Sequence, residues 1–393
     1  MTSLPPTLLI LGGSTRAAAT SAVRAGFRPI CADRFGDEDL HRLATVLPFR
    51  DYPRGLLAAV ESLPPTPWLY VGALENEPKL IAAISRRHPL LGNPPEVLRK
   101  IRDPFWLERT LRAHDLPALR SVPENEFPPS QNSWLIKPVR SGGGVGIRLW
   151  DGKRRAAERR VYFQEQRTGR SISALFIAAS SGVRFIGVSE QLIGFEVGAP
   201  TEFGYAGSIG PIEVSHLTLE QIQRIGTALA KETGLRGLFG CDFILADEVP
   251  WPTEVNPRYT ASVEVLERAT NWPLLKWHVM ACLGEPFNGD LPLDSDVPQS
   301  TAPIPQRSIV GKRIVFATTN GIAPDLEKLM ADGTDNLAWK TADQQPQLAD
   351  IPAPHSPLAA GWPICTVFAR AASETACRDL LELRANDIKK WTE

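Results

Sequence analysis

Two short segments carry residue types whose spacing suits phosphate and metal chemistry. In the first, an apolar run ending at Lys137 and Pro138 leads into residues 141–146, with the sequence SGGGVG. Glycines at this density let backbone N–H groups wrap a polyphosphate, because no Cβ blocks the approach. A lysine at the end of the preceding strand supplies a point charge for phosphate oxygens. A flexible hairpin turn is the plainer interpretation, and the loop alone favours phosphate binding only slightly.

The second segment combines Asp242 with Glu254, Asn256 and Arg258 of the motif TEVNPR. Alternation along an extended chain puts Glu254 and Asn256 on one face. Carboxylate and amide oxygens are hard ligands suited to magnesium, and Arg258 would lie close enough to stabilise a transferring phosphoryl group. The alternative makes both carboxylates solvated charges at strand ends. Asp242 argues against it, because its neighbours in residues 240–245 are apolar or glycine and a buried, unpaired carboxylate is unfavourable.

Other catalytic motifs are missing from the sequence. The turn at residues 12–14 (GGS) is not GxGxxG, and GxxxxGK[ST] and GxSxG do not occur, so dinucleotide, P-loop and serine-hydrolase sites are not supported. We interpret residues 12–14 as a tight strand-to-helix turn. None of the six histidines has a local catalytic partner, and His278, in an apolar helix, reads as a packing residue.

Composition narrows the class of protein further. The 393 residues include 43 Lys and Arg against 44 Asp and Glu, so no basic excess suggests nucleic acid. Five cysteines without CxxC spacing argue against zinc or disulfides and fit a reducing cytosol. The longest run without Asp, Glu, Lys or Arg, residues 351–369, is interrupted by prolines and is unsuited to a membrane helix. We therefore expect a soluble, cytoplasmic protein.

The pattern of apolar residues predicts three regions. Strands at 7–11, 27–32 and 68–71 alternate with helices at 15–25, 55–63 and 78–87, which is typical of a parallel α/β sheet. Mixed α/β structure follows, with strands at 134–137, 160–164, 173–179, 184–189, 238–245 and 252–255 and helices at 104–114 and 219–233. A linker after Glu285 leads to a tail with strands at 313–317 and 364–369 and a helix at 373–383. We predict domains at 1–95, 96–290 and 291–393.

The order of these segments resembles the ATP-grasp superfamily. A strand with Lys-Pro and a glycine loop is followed by YFQEQRTG, GCDFIL and TEVNPR, and the resemblance extends over about residues 7–283. It implies an α/β and α+β fold: a Rossmann-like N-terminal domain, then an ATP-grasp domain of two α+β subdomains that close on ATP, then a small β-rich C-terminal domain.

The resemblance also implies roles for individual residues. Lys137 would bridge adenine and phosphates, and Arg258 would contact the transferring phosphate. A mobile phosphate lid would comprise Ser141, Gly142, Gly143, Gly144 and Gly146. An adenine-binding hinge would comprise Gln164, Glu165 and Gln166. The ligands of two magnesium ions would be Asp242, Glu254 and Asn256.

Two departures from the family pattern stand out. A basic residue often follows the aspartate that opens the first subdomain, but here Pro104 follows Asp103, with Arg102 and Lys100 as candidate substitutes. The acidic residue that usually contacts the ribose is not evident near residues 169–171.

The resemblance implies an ATP- and magnesium-dependent ligase that activates a small-molecule carboxylate as an acyl phosphate for attack by an amine. Segments 205–211, 350–352 and 361–366 are similar to a group of predicted ATP-dependent carboligases, found in organisms with tetrahydromethanopterin-linked metabolism, so tetrahydromethanopterin- or methanofuran-type cofactor biosynthesis is a candidate pathway. The alternatives are a carboxylase that uses bicarbonate and a non-catalytic nucleotide-binding protein. A homodimer is the default expectation, with neither nucleic acid nor membrane as partner.

Overall fold

The fold is taken from a computed structural model. It describes residues 6–129, 133–153, 160–285, 308–326, 328 and 346–392. The predicted linker after Glu285, with the predicted boundary at residues 290 and 291, lies outside the described residues. In the described part of the chain, no helix is both long and apolar enough to cross a bilayer. All five cysteines lie in this part, and none of them forms a disulfide.

The N-terminal region is a parallel sheet covered by helices, which confirms the α/β prediction for this region. The strands run in the spatial order β3-β2-β1-β4. Residues 8–11 of β1 are 0% exposed, because a parallel strand with helices on both faces must be apolar throughout. The elements are β1 Thr7–Gly12, α1 Arg16–Arg24, β2 Arg28–Asp33, α2 Glu38–Leu43, β3 Thr45–Val46, α3 Leu56–Val60, β4 Trp68–Tyr70, α4 Pro78–Ser85, α5 Pro95–Ile101 and α6 Pro104–Ala113.

The turn after β1 is a packing feature, in line with its interpretation as a strand-to-helix turn. A Cβ on Gly12 would lie 2.4 Å from Val71 Cγ2, so only glycine lets the end of β1 approach the chain beyond β4 this closely. Thr15 then donates its hydroxyl to Asp33 Oδ2 at 2.9 Å, which ties the start of α1 to the end of β2. These contacts hold the turn after β1 against the ends of β2 and β4.

A small antiparallel sheet follows, and it carries the first chemical segment. Its strands lie in the order β5-β8-β6-β7, and β6 pairs with β8 so that Lys137 lies opposite Tyr162. The bounds are β5 Ser121–Pro123, β6 Trp134–Pro138, β7 Arg148–Leu149 and β8 Val161–Glu165.

The largest sheet spans the rest of the chain and has the order β13-β12-β9-β10-β11-β14-β18-β16. The C-terminal strands β14, β18 and β16 extend the sheet that carries the second chemical segment, because β14 pairs with β11, whereas β15 and β17 pair with each other as a separate two-stranded sheet. The bounds are β9 Arg170–Ala179, β10 Gly182–Ile193, β11 Tyr205–Gly210, α7 His216–Thr233, β12 Gly237–Ala246, β13 Val249–Asn256, α8 Ala261–Thr270, α9 Leu274–Leu283, β14 Ile309–Phe316, β15 Gly321–Ile322, β16 Leu348–Ala349, β17 Pro357–Leu358, β18 Pro363–Ala371 and α10 Glu374–Thr392.

Buried charges join the three parts of the chain. Arg16 of α1 donates to Glu264 of α8 at 3.1 Å and to Asp350, beside β16, at 2.9 Å. Lys312 of β14 lies 3.2 Å from the same Glu264 carboxylate. Burial alone would raise the pKa of Glu264, but the positive charges around it, Arg16 first, hold that pKa well below its usual value. Glu264 therefore stays ionised and fixes α8 against the N-terminal sheet.

His278 is a structural residue, as expected from its apolar helix. Its Nδ1 accepts the backbone N–H of Leu238 at 2.8 Å, and its Nε2 lies 3.0 Å from the carbonyl of Leu91, so Nε2 carries the proton of a neutral ring. Burial lowers the pKa of His278 to about 4. The Cys282 Sγ lies 3.9 Å from Nε2, and burial raises the pKa of that thiol to about 12. The ring is thus neutral at physiological pH.

We expect His278 to make the protein acid-sensitive. The pKa of His278 is lower in the folded protein than its unfolded value of about 6.5. Its contribution to the free energy of unfolding is therefore complete above pH ~6.5 and is lost as the pH falls toward about 4. Between pH 7 and pH 4.5 the wild type should lose about 2.5 kcal/mol more unfolding free energy than His278→Gln. Urea unfolding of both proteins at both pH values measures this difference, and parallel losses would contradict the assignment.

Candidate active site

The two chemical segments meet at one cavity of about 250 Å³ between the small sheet and the largest sheet. Most of the residues singled out from the sequence line it, although they come from four different strands and three connecting segments. They are Lys137, Gly143, Gly144, Gln164, Glu165, Gln166, Asp242, Glu254, Asn256 and Arg258. Of the remaining loop residues, all within the described part, Ser141, Gly142 and Gly146 do not line it. The small sheet therefore forms one wall and the β12–β13 hairpin the other.

Lys137 is held with its ammonium group close to the cavity. It extends from the end of β6 and donates to Gln164 Oε1 at 3.0 Å and to the carbonyl of Thr253 at 3.4 Å. Gln164 donates to the same carbonyl at 3.2 Å, which links β8 to β13. The Lys137 side chain is 5% exposed and its Nζ lies 5.9 Å from the centroid of the Tyr162 ring. A buried ammonium fixed in this way is preorganised to bind an anion in the cavity.

The predicted hinge residues lie at the end of β8, beside Lys137. The backbone N–H groups of Glu165 and Gln166 donate to the carbonyls of Arg120 and Ser133 at 2.8 and 2.9 Å. The Glu165 side chain accepts from Arg167 at 2.9 Å. These two N–H groups are therefore already bonded within the protein.

The glycine loop reaches across to the far wall of the cavity. Gly143, Gly144 and Gly146 have φ values of +62°, +78° and +78°, in the left-handed region that glycine favours. Tyr205 N–H donates to the carbonyl of Gly143 at 3.1 Å. A Cβ on Gly144 would lie 1.7 Å from the carbonyl oxygen of Phe203. The loop thus touches the chain just before β11, and glycine is required at position 144.

We expect Gly144→Ala to weaken nucleotide binding, because both the positive φ and the contact with Phe203 exclude a side chain there. The affinity for ADP with magnesium, measured by titration calorimetry, should fall by about tenfold, given strain of about 1–3 kcal/mol. Gly142→Ala is the matched control, since its Cβ would lie 3.5 Å from Ala73 Cβ, an ordinary contact. Equal affinities for the two variants would exclude a role for the loop shape.

Asp242 and Glu254 lie opposite each other on the neighbouring strands β12 and β13. Burial, and then the charge of Glu254, raise the pKa of Asp242 to about 7. Burial would also raise the pKa of Glu254, but the charges of Arg102, Lys137 and Arg258 lower it. A cation between the two carboxylates would relieve their repulsion, so this pair of hard oxygen donors fits magnesium. Within the described residues no group of three or more His, Cys, Asp or Glu side chains forms a metal site.

Asn256 adjoins the carboxylate pair with its NH₂ group toward it. Nδ2 donates to Asp242 Oδ2 at 2.9 Å and to Glu254 Oε1 at 3.5 Å, while Oδ1 accepts from Arg258 at 3.3 Å. A metal ligand must present oxygen, so Asn256 would join the carboxylates as a ligand only after its amide turns by half a rotation.

Arg258 follows β13 and lies between the carboxylate pair and the N-terminal sheet. Its Nη2 lies 2.8 Å from the carboxylate of Glu75, in the turn after β4. The Nε of Arg258 is buried and has no hydrogen-bond partner among the described residues. Burial alone would lower the pKa of Arg258, but the charge and hydrogen bond of Glu75, together with the charges of Glu254 and Asp242, raise that pKa. Arg258 is a fixed cation with a donor still available.

Of the two candidates to replace the missing basic residue, Arg102 reaches the site. Its Nη1 lies 3.5 Å from Glu254 Oε2, and its Nη2 donates to the carbonyl of Ser141 at 3.2 Å and to Asn76 Oδ1 at 3.3 Å. Lys100 instead donates to the carbonyl of Glu232 and lies 5.2 Å from the Trp106 ring centroid. Arg102 therefore links the carboxylate pair, the glycine loop and the N-terminal sheet.

Several polar residues of the site were not found by sequence reasoning. Ser173 lies opposite Asp242 on β9, and Ser173 and Gln191 hydrogen-bond to the Asp242 side chain. Glu75 reaches Arg258 from the N-terminal sheet. Its position shortly after the carboxyl end of a parallel strand is the one available signal, since ligand sites collect at the carboxyl ends of such strands. Ser173 and Gln191 carry no comparable signal, because single polar residues in long strands are common.

Comparison with known proteins agrees with this geometry. A family model described as an ATP-grasp domain matches residues 101–262. The formate-dependent phosphoribosylglycinamide formyltransferase of Parasynechococcus marenigrum is 27% identical over 318 residues, which are 73% of this chain and 79% of that protein. These findings confirm the family resemblance.

Solved structures share the fold over nearly the whole chain. The L-amino acid ligase of Bacillus licheniformis has a TM-score of 0.67 at 14% identity and covers 98% of both chains. The biotin carboxylase domain dimer of Hydrogenobacter thermophilus 2-oxoglutarate carboxylase, solved with magnesium ADP and bicarbonate, has a TM-score of 0.71 at 11% identity and covers 100% of this chain and 91% of that one. The predicted α/β and α+β fold class is confirmed.

Proposed function

We propose that this chain, whose residues 101–262 match an ATP-grasp domain, uses ATP and magnesium to activate a small carboxylate as an acyl phosphate, which an amine then attacks. One observation carries this proposal. Lys137, the glycine loop, the Asp242–Glu254 pair and Arg258 line a single cavity. Cations and hydrogen-bond donors thus face two carboxylates across a space that fits a nucleotide phosphate chain.

The first step is phosphoryl transfer. A carboxylate oxygen of the substrate attacks the γ-phosphorus of ATP, the bond from that phosphorus to the β–γ bridging oxygen breaks, and ADP leaves. Asp242 and Glu254, with Asn256 once its amide has turned, would hold magnesium, which would neutralise charge on the phosphates. Lys137 and the Gly143–Gly144 backbone hold the phosphate chain, and Arg258 directs its unpaired Nε–H to the transferring group.

The second step is amide formation. The amine attacks the acyl carbon, the carbon–oxygen bond to phosphate breaks, phosphate leaves and the amine loses a proton. Water must be excluded, because it would hydrolyse the acyl phosphate. The glycine loop, whose Gly143 carbonyl accepts from the Tyr205 N–H, would cover the cavity at this point.

The acid is proposed to bind where α8 begins. Thr260, Ala261 and Ser262 line the cavity beside Arg258. The N-terminus of a helix presents unpaired N–H groups and a positive dipole end, both of which favour a carboxylate. Tyr205 and Ser208, hydrogen-bonded to each other at 2.8 Å, line the same end and would contact the rest of the substrate.

Oxygen transfer tests the proposal directly. Carboxylates labelled with ¹⁸O are incubated with protein, magnesium ATP and a panel of amines. An acyl phosphate route predicts one ¹⁸O in the released phosphate, because the attacking oxygen stays with phosphorus. Phosphate release with bicarbonate alone would favour the carboxylase alternative. ATP binding without release for any acid would favour a non-catalytic protein.

The pathway is a finer proposal. We assign the amide-forming step to biosynthesis of a tetrahydromethanopterin- or methanofuran-type cofactor, on the resemblance of residues 205–211, 350–352 and 361–366 alone. Including acids and amines from such cofactors in the same panel tests it, and turnover confined to unrelated acids would contradict it.

A further inference from the structure

Glu75 is a buried carboxylate that reaches the active site from outside the ATP-grasp domain. It lies in a 3-10 turn, Leu74–Asn76, shortly after β4, and is 2% exposed. Its carboxylate lies 2.8 Å from Arg258 Nη2. Burial alone would raise the pKa of Glu75, but the charge of Arg258, followed by that of Arg102, lowers it. Glu75 is therefore a permanent negative charge beside the arginine.

The turn that carries Glu75 is held in place on both sides. Asn76 Nδ2 donates to the carbonyl of Ser141 at 3.1 Å, and Asn76 Oδ1 accepts from Arg102 at 3.3 Å. Ala73, at the start of the turn, has a φ of +66°. A non-glycine residue adopts such a value only where its surroundings enforce it. Glu75 is thus a fixed point for Arg258 and not a mobile counter-ion.

The other acidic neighbours of Arg258 are the two proposed magnesium ligands. Asn256 links Arg258 to Asp242, because its Oδ1 accepts from Arg258 at 3.3 Å while its Nδ2 donates to Asp242 at 2.9 Å. Charge attraction from Glu254 and Asp242 acts on Arg258 in addition to that from Glu75. Without Glu75, the carboxylate pair would be the nearest counter-charge left to the guanidinium. An arginine paired with those carboxylates would occupy the place of a divalent cation.

We propose that Glu75 is a positioning residue that holds the Arg258 guanidinium away from the Asp242–Glu254 pair and so keeps the pair available to a divalent cation. The Arg258–Glu75 pair is neutral, and the carboxylate pair keeps its two negative charges for the metal. The N-terminal domain thereby controls the metal requirement of a site that it does not itself form. This inference rests on the proposed nucleotide site.

The test is the magnesium dependence of ADP binding, followed by titration calorimetry at stepwise magnesium concentrations. Glu75→Gln keeps the size of the side chain and removes its charge. We expect the magnesium concentration for half-maximal ADP binding to rise by about tenfold, while ADP affinity at saturating magnesium stays within about twofold. Glu61→Gln, an exposed position of the same domain, makes the same change in net charge and should match the wild type.

A double-variant comparison separates this role from a general loss of structure. In an Arg258→Met background there is no guanidinium to restrain, so adding Glu75→Gln should leave the magnesium requirement unchanged within about twofold. The double variant also leaves no unpaired charge behind. An equal rise in both backgrounds, or no rise in Glu75→Gln alone, would overturn the inference. If Glu75→Gln does not fold, Glu75→Asp, which shortens the reach to Arg258, takes its place, and a shift above twofold is expected.

The result is distinguishable from failure of the proposed function. If the wild type does not bind ADP at any magnesium concentration, the nucleotide site itself is wrong. If the wild type binds ADP with a clear magnesium requirement and Glu75→Gln has the same requirement, only the role of Glu75 is wrong.

Discussion

Glu254→Gln is expected to lower acid-dependent phosphate release by at least about 100-fold while the protein remains folded. The change removes one negative charge of the proposed metal ligands without altering side-chain volume. The fold should tolerate it, because Glu254 repels Asp242 and helps to raise the pKa of that carboxyl to about 7. We therefore expect a melting temperature no lower than that of the wild type by more than a few degrees.

Asp247→Asn is the matched control for this prediction. Asp247 lies on the same β12–β13 hairpin, at the end remote from the cavity, and it is exposed. Its φ of +49° is one that asparagine adopts readily. The control should keep full phosphate release. If Glu254→Gln released phosphate at the wild-type rate, Glu254 would not be a metal ligand.

Arg258→Met is expected to lower kcat by about 100- to 1000-fold with only a small change in the KM for ATP. In the proposed mechanism its Nε–H acts on charge that develops during phosphoryl transfer, whereas Lys137 and the glycine loop hold the ground-state nucleotide. A contact made mainly in the transition state reduces kcat, and a uniform binding contact would raise KM instead. Steady-state phosphate release at varied ATP separates the two cases.

The control for this variant must account for Glu75. Removing Arg258 alone leaves a buried carboxylate without its cation, which is expected to destabilise the fold by about 3–5 kcal/mol. The Glu75→Gln and Arg258→Met double variant removes both charges, so it should recover stability without recovering kcat. A change confined to KM, in either protein, would make Arg258 a binding contact and nothing more.

The local part of the site could be predicted because it is encoded by short-range rules. Alternation places Glu254 and Asn256 on one face of β13, and an aspartate within an apolar strand needs a charged or metal partner. The register then brings Asp242 directly opposite Glu254. A carboxylate pair beside Asn256 thus follows from two strand segments and the hairpin that joins them.

The long-range part could not be predicted, because nothing in the periodicity specifies which distant strands pair. The tail strand β14 pairs with β11 and extends the largest sheet. Glu75 and Arg102 reach the site only through the packing of separate units. Sequence reasoning gave two candidates at the start of the first subdomain, and the contacts of Arg102 with Glu254 and Ser141 distinguish it from Lys100.

Helix α8 was missed for a different physical reason. Residues 262–268 are all buried, and they include the charged Glu264, Glu267 and Arg268, so charged positions along this helix do not mark a solvent-exposed face. Its buried charges are compensated within the helix, where Arg268 lies 3.5 Å from Glu264, and by Arg16 of α1, which donates to Glu264. A buried helix stabilised in this way reads locally as irregular sequence.

A crystal structure with magnesium and a non-hydrolysable ATP analogue would test the central assignment most directly. We predict a magnesium ion about 2.1 Å from oxygens of both Asp242 and Glu254, with the terminal phosphate next to Arg258 and covered by Gly143 and Gly144. A nucleotide bound outside this cavity, or one bound within it while both carboxylates remain free of metal, would contradict the account.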